Sequence, residues 1–298
     1  MKLLIITQKV NRKDSILGFF HRWIEEFAKH CEKVTVICLE KGEHDLPGNV
    51  KILSLGKERG NSKFDQLMWF YQYIWDERKN YDAVFVHMNQ IYILLGGLLW
   101  KAWGKKVSLW YTHKQVSFSL KLAEKIADVI FTASKESFRL QSKKLQVIGH
   151  GIDTEFFCPD ESVQREDWWL SVGRLTLSKG HAKAINEAAQ AGKELRVVGD
   201  GPEISNLEKV KNDLNARVNF LGPLIQDEVR DLYRRAERLI HRSNTGSLDK
   251  VVLEAAACGL KVDSTDLAIS QLPLSIQYVR KNHALVNLIP NILNLLNK

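Results

Sequence analysis

The strongest constraint on the fold is an alternation of short β-branched runs with amphipathic helical patterns, which occurs twice along the chain. Such alternation is typical of a mostly parallel sheet whose strands are joined by helices. In the first half the predicted strands are Lys2–Thr7, Lys33–Leu39, Val50–Leu55, Ala83–His87, Val107–Thr112, Val129–Ala133 and Gln146–Ile148. In the second half they are Trp168–Val172, Leu195–Val198, Val218–Leu221, Arg238–His241 and Lys261–Asp263, with helices near 180–191, 203–214, 226–236 and 248–258.

The two series are separated by HGIDTEFFCP at residues 150–159, a segment whose glycine and proline suit a link between domains. A chain of 298 residues is also long enough for two domains of ordinary size. We therefore predict two doubly wound α/β domains, over residues 1–152 and 153–278, followed by an amphipathic helix in the segment 279–298. A cleft between two such domains is the expected ligand site.

Composition argues against a membrane-spanning or disulfide-rich protein. The longest apolar run, residues 91–103, is broken by Lys101 and is shorter than the roughly 20 residues that a spanning helix needs, so it predicts a buried helix. The start, MKLLIITQ, leads into a strand without a signal-peptide cleavage site, which predicts a cytoplasmic protein. The four cysteines are scattered without a C-x-x-C pair, so neither disulfides nor a zinc site is expected.

The excess of positive charge lies in the first half of the chain. Residues 1–150 hold 24 Lys and Arg against 15 Asp and Glu, whereas residues 151–298 hold 19 against 20. The open interpretations are an anionic partner (nucleic acid, acidic phospholipid or a phosphorylated acceptor) and a solvated lysine-rich surface. Nucleic acid is the least favoured, because the basic residues do not interleave with aromatic residues in a recognised module. The aromatic run MWFYQYIW at 68–75 has helical spacing, which favours core packing over membrane insertion.

The loop after the first strand of the second half has a composition that suits phosphate binding. In SVGRLTLSKG, residues 171–180, Gly173 ends the strand and Arg174 and Lys179 follow before a helix begins. Arg174 offers a planar fork of donors and Lys179 a point charge, a combination that suits a diphosphate. Two ordinary surface cations would give the same pattern.

The loops after the next two strands expose backbone groups. Gly199 and Gly201 in VGDGPE let the backbone approach a ligand closely, and Pro202 suits the start of a helix. Leu221 and Gly222 in NFLGPL end the following strand, where backbone groups suit the edge of a flat base. Each segment by itself is also an ordinary turn.

The stretch TGSLDKVVLEAAACG, residues 245–259, predicts a helix with an anion site at its start. Ser247 is the expected N-cap, and Asp249 in the first turn complements the positive helix end. The predicted buried face consists of Leu248, Val251, Val252, Ala255 and Gly259. A diphosphate on the free N–H groups would place a ribose within reach of Glu254, which lies about 10 Å further along the axis at 1.5 Å per residue.

Taken in order, the segments IGHGIDTEFF, SVGRLTLSKG, LRVVGDGPE, VNFLGPL and SNTGSLDKVVLEAAACG resemble the retaining GT-B glycosyltransferases of glycosyltransferase family 4, also called glycosyl transferases group 1. The resemblance covers nearly the whole chain. It implies two Rossmann-like domains facing each other across a cleft, with the acceptor in the N-terminal domain and a nucleotide-sugar donor in the C-terminal domain. It also implies that the C-terminal helix crosses back to the N-terminal domain.

The resemblance assigns roles to matching residues. Arg174 and Lys179 bind the donor diphosphate and stabilise the charge on the leaving phosphate, which is electrostatic catalysis without a metal. No cofactor is expected, and the sequence has no D-x-D pair to hold a divalent ion. In the first domain, His113 in LWYTH matches the strand-end histidine that faces the donor sugar. Of the family's glycine-rich loop, only Gly18 remains in residues 9–18.

Two departures from the family pattern concern the donor site. The family usually has E-x7-E, with its second Glu on the ribose and its first near the donor sugar; Glu254 matches the second, whereas Gly246 occupies the first position. Asp249 either supplies a substitute carboxylate or serves only the helix dipole. The region after Asp266 is also short.

The function implied by the resemblance is therefore a retaining, metal-independent hexosyltransferase that uses a UDP- or GDP-sugar and a sugar, lipid-linked or other hydroxyl acceptor. Cell-surface glycan or glycolipid synthesis at the inner face of an anionic membrane is the implied setting. A nucleotide-sugar-binding protein with reduced or lost transfer is the alternative, motivated by Gly246 and the short C-terminal region. A sugar-nucleotide epimerase fits the motif order less well.

Overall fold

The computed structural model describes residues 1–297, which form twelve strands and eleven α-helices. The strands are β1 Lys2–Val10, β2 Lys33–Lys41, β3 Val50–Ser54, β4 Ala83–His87, β5 Lys106–Trp110, β6 Val129–Thr132, β7 Leu145–Val147, β8 Trp168–Val172, β9 Glu194–Val198, β10 Val218–Gly222, β11 Arg238–His241 and β12 Lys261–Ser264. The helices are α1 Phe19–His30, α2 Lys63–Asp76, α3 Ile91–Ala102, α4 Phe118–Ile126, α5 His181–Gln190, α6 Ile204–Asp213, α7 Gln226–Arg235, α8 Lys250–Ala257, α9 Leu267–Ser270, α10 Ile276–His283 and α11 Leu285–Asn297.

The chain forms two compact units. The first comprises Met1–Gly151 and the segment from Leu285 onward, and the second comprises Ile152–Ala284. Each unit has one parallel sheet with helices between its strands, which confirms the predicted α/β class. The predicted segment 279–298 is divided between the units, because α10 lies in the second and α11 in the first. Residue 298 lies outside the described residues.

The sheet of the first unit has the order β3-β2-β1-β4-β5-β6-β7. The connection from β3 to β4 returns past β1, so the direction of strand addition reverses between β1 and β4. The apolar side chains of this sheet form two cores, one on each face. In one of them, Trp23 and Phe27 of α1 are buried with Ile289 and Ile292 of α11.

Two sequence predictions about the first unit are correct only for part of each segment. The run 91–103 forms a helix as expected, but Leu98 is largely exposed rather than buried. In the aromatic run 68–75, Phe70 and Ile74 are buried, whereas Trp69 and Trp75 are 38% and 54% exposed. Helical spacing identifies one buried face correctly, but it does not show that the opposite face of α2 is aromatic as well.

The sheet of the second unit has the order β10-β9-β8-β11-β12. Its strand order reverses between β8 and β11, as that of the first unit does between β1 and β4. The C-terminal ends of β8 and β11 therefore flank the place where doubly wound sheets bind ligands. Within residues 1–297, no helix is long and apolar enough to cross a membrane.

Candidate functional site

The candidate site lies at the switch point of the second sheet, where the loops after β8 and β11 meet. Lys179 ends a short turn in the loop after β8, and its Nζ lies 2.5 Å from Oδ2 of Asp249 at the start of α8. The structure thus brings together two of the residues that the sequence marked for donor binding. Helix α8 starts beside them, so its free N–H groups add positive potential.

Arg174 lies in the same loop as Lys179, and its side chain is exposed to solvent. Among residues 1–297 its guanidinium makes no hydrogen bond or ion pair, in contrast to Lys179. A guanidinium without a partner among residues 1–297 can receive a polyanion without first breaking an internal ion pair of its own.

The glycines of the strand-end loops allow backbone to pack on backbone. A Cβ on Gly199 would lie 2.0 Å from the carbonyl oxygen of Gly173, and one on Gly201 would lie 2.3 Å from that of Leu175. The N–H of Gly173 donates to Val198, and that of Leu175 donates to Asp200. These glycines therefore hold the loop that carries Arg174 in place. The sequence predicted only that they allow the backbone to approach a ligand, not that they pack against this loop.

The loop after β10 joins the same arrangement. The N–H of Gly199 donates to the carbonyl of Gly222, which has a left-handed φ of 70°. Leu221 is partly buried at the irregularity where the β10 register shifts. The Leu221–Gly222 backbone thus lies at the C-terminal edge of the sheet, as predicted.

Helix α8 begins later than predicted, and Ser247 is not its cap. The N-cap is Asp249, and the Ser247 hydroxyl instead bonds that of Thr245 at 3.0 Å. Gly246 has a φ of 61° and donates its N–H to Asp266. This left-handed turn keeps the chain non-helical through Ser247, which local propensity alone did not indicate. Leu248, Val252 and Ala255 are buried and Val251 is partly buried, as predicted, but Gly259 is exposed because it follows the end of α8 at Ala257.

Asp249 is the centre of a polar network rather than a residue of the first helical turn. Its Oδ2 accepts from Nζ of Lys179 and, at 2.9 Å, from Nε2 of His241. The other ring nitrogen of His241 is hydrogen-bonded to Oγ of Ser264 at 3.0 Å. Burial alone would raise the pKa of Asp249, but the His241 hydrogen bond and the Lys179 charge outweigh it and lower that pKa to about 2. The carboxylate is therefore ionised at neutral pH.

Glu254 is only 7% exposed, with Tyr233 and the apolar residues of α8 around it. Burial raises its pKa to about 7, which the charge of Lys250, 3.8 Å away, only partly offsets. Because α8 starts at Lys250, Glu254 is about 7.5 Å along the axis from the N-cap, closer than predicted. An uncharged acid at this depth needs hydroxyl or N–H donors before it ionises readily.

Two site predictions fall in the first unit. His113 is exposed in the loop that follows β5, beside Tyr111 at a ring separation of 6.4 Å. Gly18 is the buried N-cap of α1, and a Cβ there would lie 2.4 Å from the carbonyl oxygen of Asp14. Gly18 is thus required by the packing of its own loop.

Sequence reasoning missed the residues that hold the β11 loop. His241 and Arg242 end and follow β11, and both are buried. Arg242 bonds Glu187 and Asp263. The only available sequence signal was a His-Arg pair at the end of an apolar strand, and its partners are distant in the chain. No group of three or more His, Cys, Asp or Glu side chains within residues 1–297 is arranged to hold a metal ion.

Comparison with known proteins finds a family similarity over part of the chain and a fold similarity over all of it. Residues 166–289 match the model of the family described as glycosyl transferases group 1. HepE of Anabaena, solved in complex with UDP and glucose, superposes with a TM-score of 0.74 over 100% of both chains at 16% identity. The chain has the GT-B fold, and its residues 166–289 are similar to glycosyl transferases group 1.

Curated relatives of this chain are matched over part of their length. The phosphatidylinositol N-acetylglucosaminyltransferase gpi3 subunit of Schizosaccharomyces pombe is 32% identical over 52% of this chain and 36% of that protein. A human phosphatidylinositol N-acetylglucosaminyltransferase subunit is 29% identical over 53% of this chain and 35% of that protein. The chain thus spans about a third of the length of these two relatives.

Proposed function

We propose that this chain is a retaining, metal-independent glycosyltransferase that moves a sugar from a UDP- or GDP-sugar to a hydroxyl acceptor. The observation that carries the proposal is the group of Arg174, Lys179 and the start of α8 at the switch point of the second sheet. Two cations and a helix N-terminus form a site for a diphosphate. The similarity of residues 166–289 to glycosyl transferases group 1 supports a nucleotide-sugar as the molecule that carries this diphosphate.

In the proposed mechanism the protein stabilises the leaving nucleoside diphosphate. Negative charge builds on the phosphate as the bond to the sugar breaks, and Arg174, Lys179 and the α8 N–H groups interact with it more strongly then than in the ground state. Glu254 accepts hydrogen bonds from the ribose hydroxyls, which favours its ionised form. The backbone at Leu221 and Gly222 reads the edge of the base, and Gly173 allows the phosphate to approach the strand end.

The first unit supplies the acceptor side in this proposal. His113 contacts the donor sugar and is the catalytic residue that the first unit contributes. Gly18 offers backbone groups to the donor at the start of α1. UDP-N-acetylglucosamine is the first donor to test, because HepE was solved with UDP and the curated relatives are named for N-acetylglucosamine transfer. GDP-sugars follow in the same panel.

A lipid-linked acceptor is the favoured class, with the protein held at the inner face of an anionic membrane for cell-surface glycan or glycolipid synthesis. The relatives named above act on phosphatidylinositol by name. The exposed aromatic face of α2, with Trp69 and Trp75, suits a membrane interface, where tryptophan is enriched. The excess of Lys and Arg in residues 1–150 adds attraction to anionic lipid.

The second candidate function is binding of a nucleotide-sugar without turnover. Gly246 favours it, because this position brings no carboxylate to the donor site and its N–H is bonded to Asp266. Such a protein would bind the donor but neither transfer nor hydrolyse its sugar.

Turnover measurements separate the two functions. Thermal-shift assays with UDP, GDP and ADP select the base, and release of free nucleotide from a panel of sugar nucleotides then reports hydrolysis or transfer. We expect release of nucleotide with at least one donor, unchanged by EDTA, and product of retained anomeric configuration. Binding without any release would favour the second candidate, and loss of activity in EDTA would contradict metal independence.

A further inference from the structure

We propose that Asp249 is the specificity-determining residue that contacts the sugar of the donor, and that His241 is the positioning residue that orients it. The inference rests on the proposed function, because it takes Lys179 as a cation for the donor diphosphate. It concerns the network Lys179–Asp249–His241–Ser264, whose contacts were described above.

The two oxygens of the Asp249 carboxylate are used differently. Oδ2 accepts from both Lys179 and His241, whereas Oδ1 makes no hydrogen bond to any residue in the described range 1–297. The side chain is 16% exposed, so it is held in place while part of it still meets solvent. Oδ1 is thus an ionised acceptor without a protein donor among the described residues.

The position of Asp249 determines which group of the donor it can meet. Asp249 contacts Lys179, the cation proposed for the diphosphate. In a nucleotide-sugar the sugar is attached directly to the terminal phosphate, and we place this sugar on the Asp249 side of the diphosphate. A carboxylate repels phosphate oxygens, but it accepts hydrogen bonds from hydroxyl groups. The sugar hydroxyls are therefore the donors that suit Oδ1.

The other carboxylates near the loop are less suited to this contact. Asp266 is buried and accepts from backbone at both oxygens, from Gly246 and Ala268. Glu254 lies deeper, along α8. Gly246 contributes no side chain, so Asp249 is the one of these three carboxylates that contacts Lys179 and has an oxygen without a hydrogen bond to residues 1–297.

His241 explains why Asp249 keeps one orientation. Its Nε2 donates to the ionised carboxylate, and its Nδ1 is bonded to Ser264, whose Oγ also accepts the N–H of Asp266. The ring is buried at the end of β11, so the imidazole is fixed from both nitrogens. A fixed donor aims the second carboxylate oxygen in a defined direction.

The test compares binding of the bare nucleotide with binding of the nucleotide-sugar by isothermal titration calorimetry, using UDP and UDP-N-acetylglucosamine or the pair that wild type prefers. In Asp249→Asn we expect affinity for the nucleotide-sugar to fall at least 10-fold and affinity for the nucleotide to change less than 3-fold. Asp227→Asn on the exposed surface of α7 is the matched control and should change neither affinity.

The positioning role of His241 is tested with a conservative and a non-conservative variant. His241→Gln retains an N–H donor and should keep most of the difference in affinity between the nucleotide-sugar and the nucleotide. His241→Phe has no such donor and should lose this difference in affinity, as Asp249→Asn does. Circular dichroism of each variant at the assay temperature confirms folding.

Three results would overturn the inference. Equal loss of both affinities in Asp249→Asn would show that Asp249 only holds Lys179, and unchanged affinities would show no role in the donor site. Equal behaviour of the two His241 variants would remove the positioning role. If wild type binds no nucleotide at all, the proposed function fails instead, which is a separate and recognisable outcome.

Discussion

At the scale of single residues, Glu254 links the stability of the second unit to pH. Its folded pKa of about 7 lies above the ordinary value of 4.5 because the side chain is buried. The folded state therefore holds a proton that the unfolded state releases between these two pH values. Stability from this group is complete below pH 4.5 and is lost as pH rises through about 7.

The first prediction follows from that sign. We expect the thermal unfolding midpoint of wild type to decrease as the pH is raised from 5 to 8. Glu254 contributes about 3 kcal/mol to this loss of unfolding free energy, at 1.4 kcal/mol per pKa unit. Glu254→Gln should show a flatter profile and a higher midpoint above pH 7. The exposed Glu208→Gln is the control; parallel profiles for all three proteins would contradict the assignment.

The second prediction concerns Gly201. Its missing Cβ leaves room for the carbonyl oxygen of Leu175, so Gly201→Ala should push the Arg174 loop aside and cost about 1–3 kcal/mol of unfolding free energy. Gly48→Ala, where a Cβ would meet nothing within 4 Å, should be nearly neutral. Chemical denaturation measures both, and a stability of Gly201→Ala equal to wild type would show that the loop adapts freely.

At the scale of elements, helix α11 completes the first unit although it comes last in the chain. Leu288, Ile289 and Ile292 are buried with α1, whereas Val286 on the same helix is half exposed. The periodicity of the tail predicted this apolar face correctly. Helix α11 starts at Leu285, later than the predicted start at residue 279. The reason is that α10 ends at His283 and that residues 152 and 284 pair within the second unit.

The third prediction uses this contrast. Ile292→Ala leaves a cavity between α11 and α1 and should cost about 2–5 kcal/mol, whereas Val286→Ala should cost less than about 1 kcal/mol. Denaturation monitored by tryptophan fluorescence reports the change, since Trp23 lies in the same core. Similar costs for the two variants would contradict the packing of α11.

The sequence predicts the secondary-structure elements better than it predicts the contacts of the candidate site. Buried parallel strands are continuous β-branched runs, so their positions follow from local pattern. The start of α8 does not, because a left-handed Gly246 and the pairing of Asp249 with Lys179 override the capping preference of Ser247. Arg174 and Lys179 were found because they follow one strand. The Asp249–His241–Ser264 contacts join separate strand ends and have no local signal.

At the scale of the whole molecule, the aromatic face of α2 and α3 is an apolar surface that lies outside the cores. Met68, Trp69, Trp75, Leu99 and Trp103 line a groove there with Tyr71, Gln72 and Asp76. The guanidinium of Arg78 lies 4.5 Å from the Trp75 ring. An exposed apolar surface edged by a cation suits a membrane interface.

The fourth prediction tests that surface by sedimentation with vesicles of phosphatidylglycerol and phosphatidylcholine. Wild type should bind in proportion to the anionic lipid, and Trp69→Ala with Trp75→Ala should lower binding at least 5-fold. Leu177→Ala, which removes an exposed apolar residue of the second unit, should have no effect. Equal binding of the double variant and wild type would assign the interaction to another surface.

The central claim is that the switch point of the second unit holds the donor diphosphate. Calorimetric titration of the preferred nucleoside diphosphate into wild type and Arg174→Ala/Lys179→Ala tests it most directly, with the exposed Lys183→Ala as control. We predict that the double variant loses at least 100-fold in affinity while Lys183→Ala matches wild type. An affinity of the double variant within 3-fold of wild type would contradict the claim.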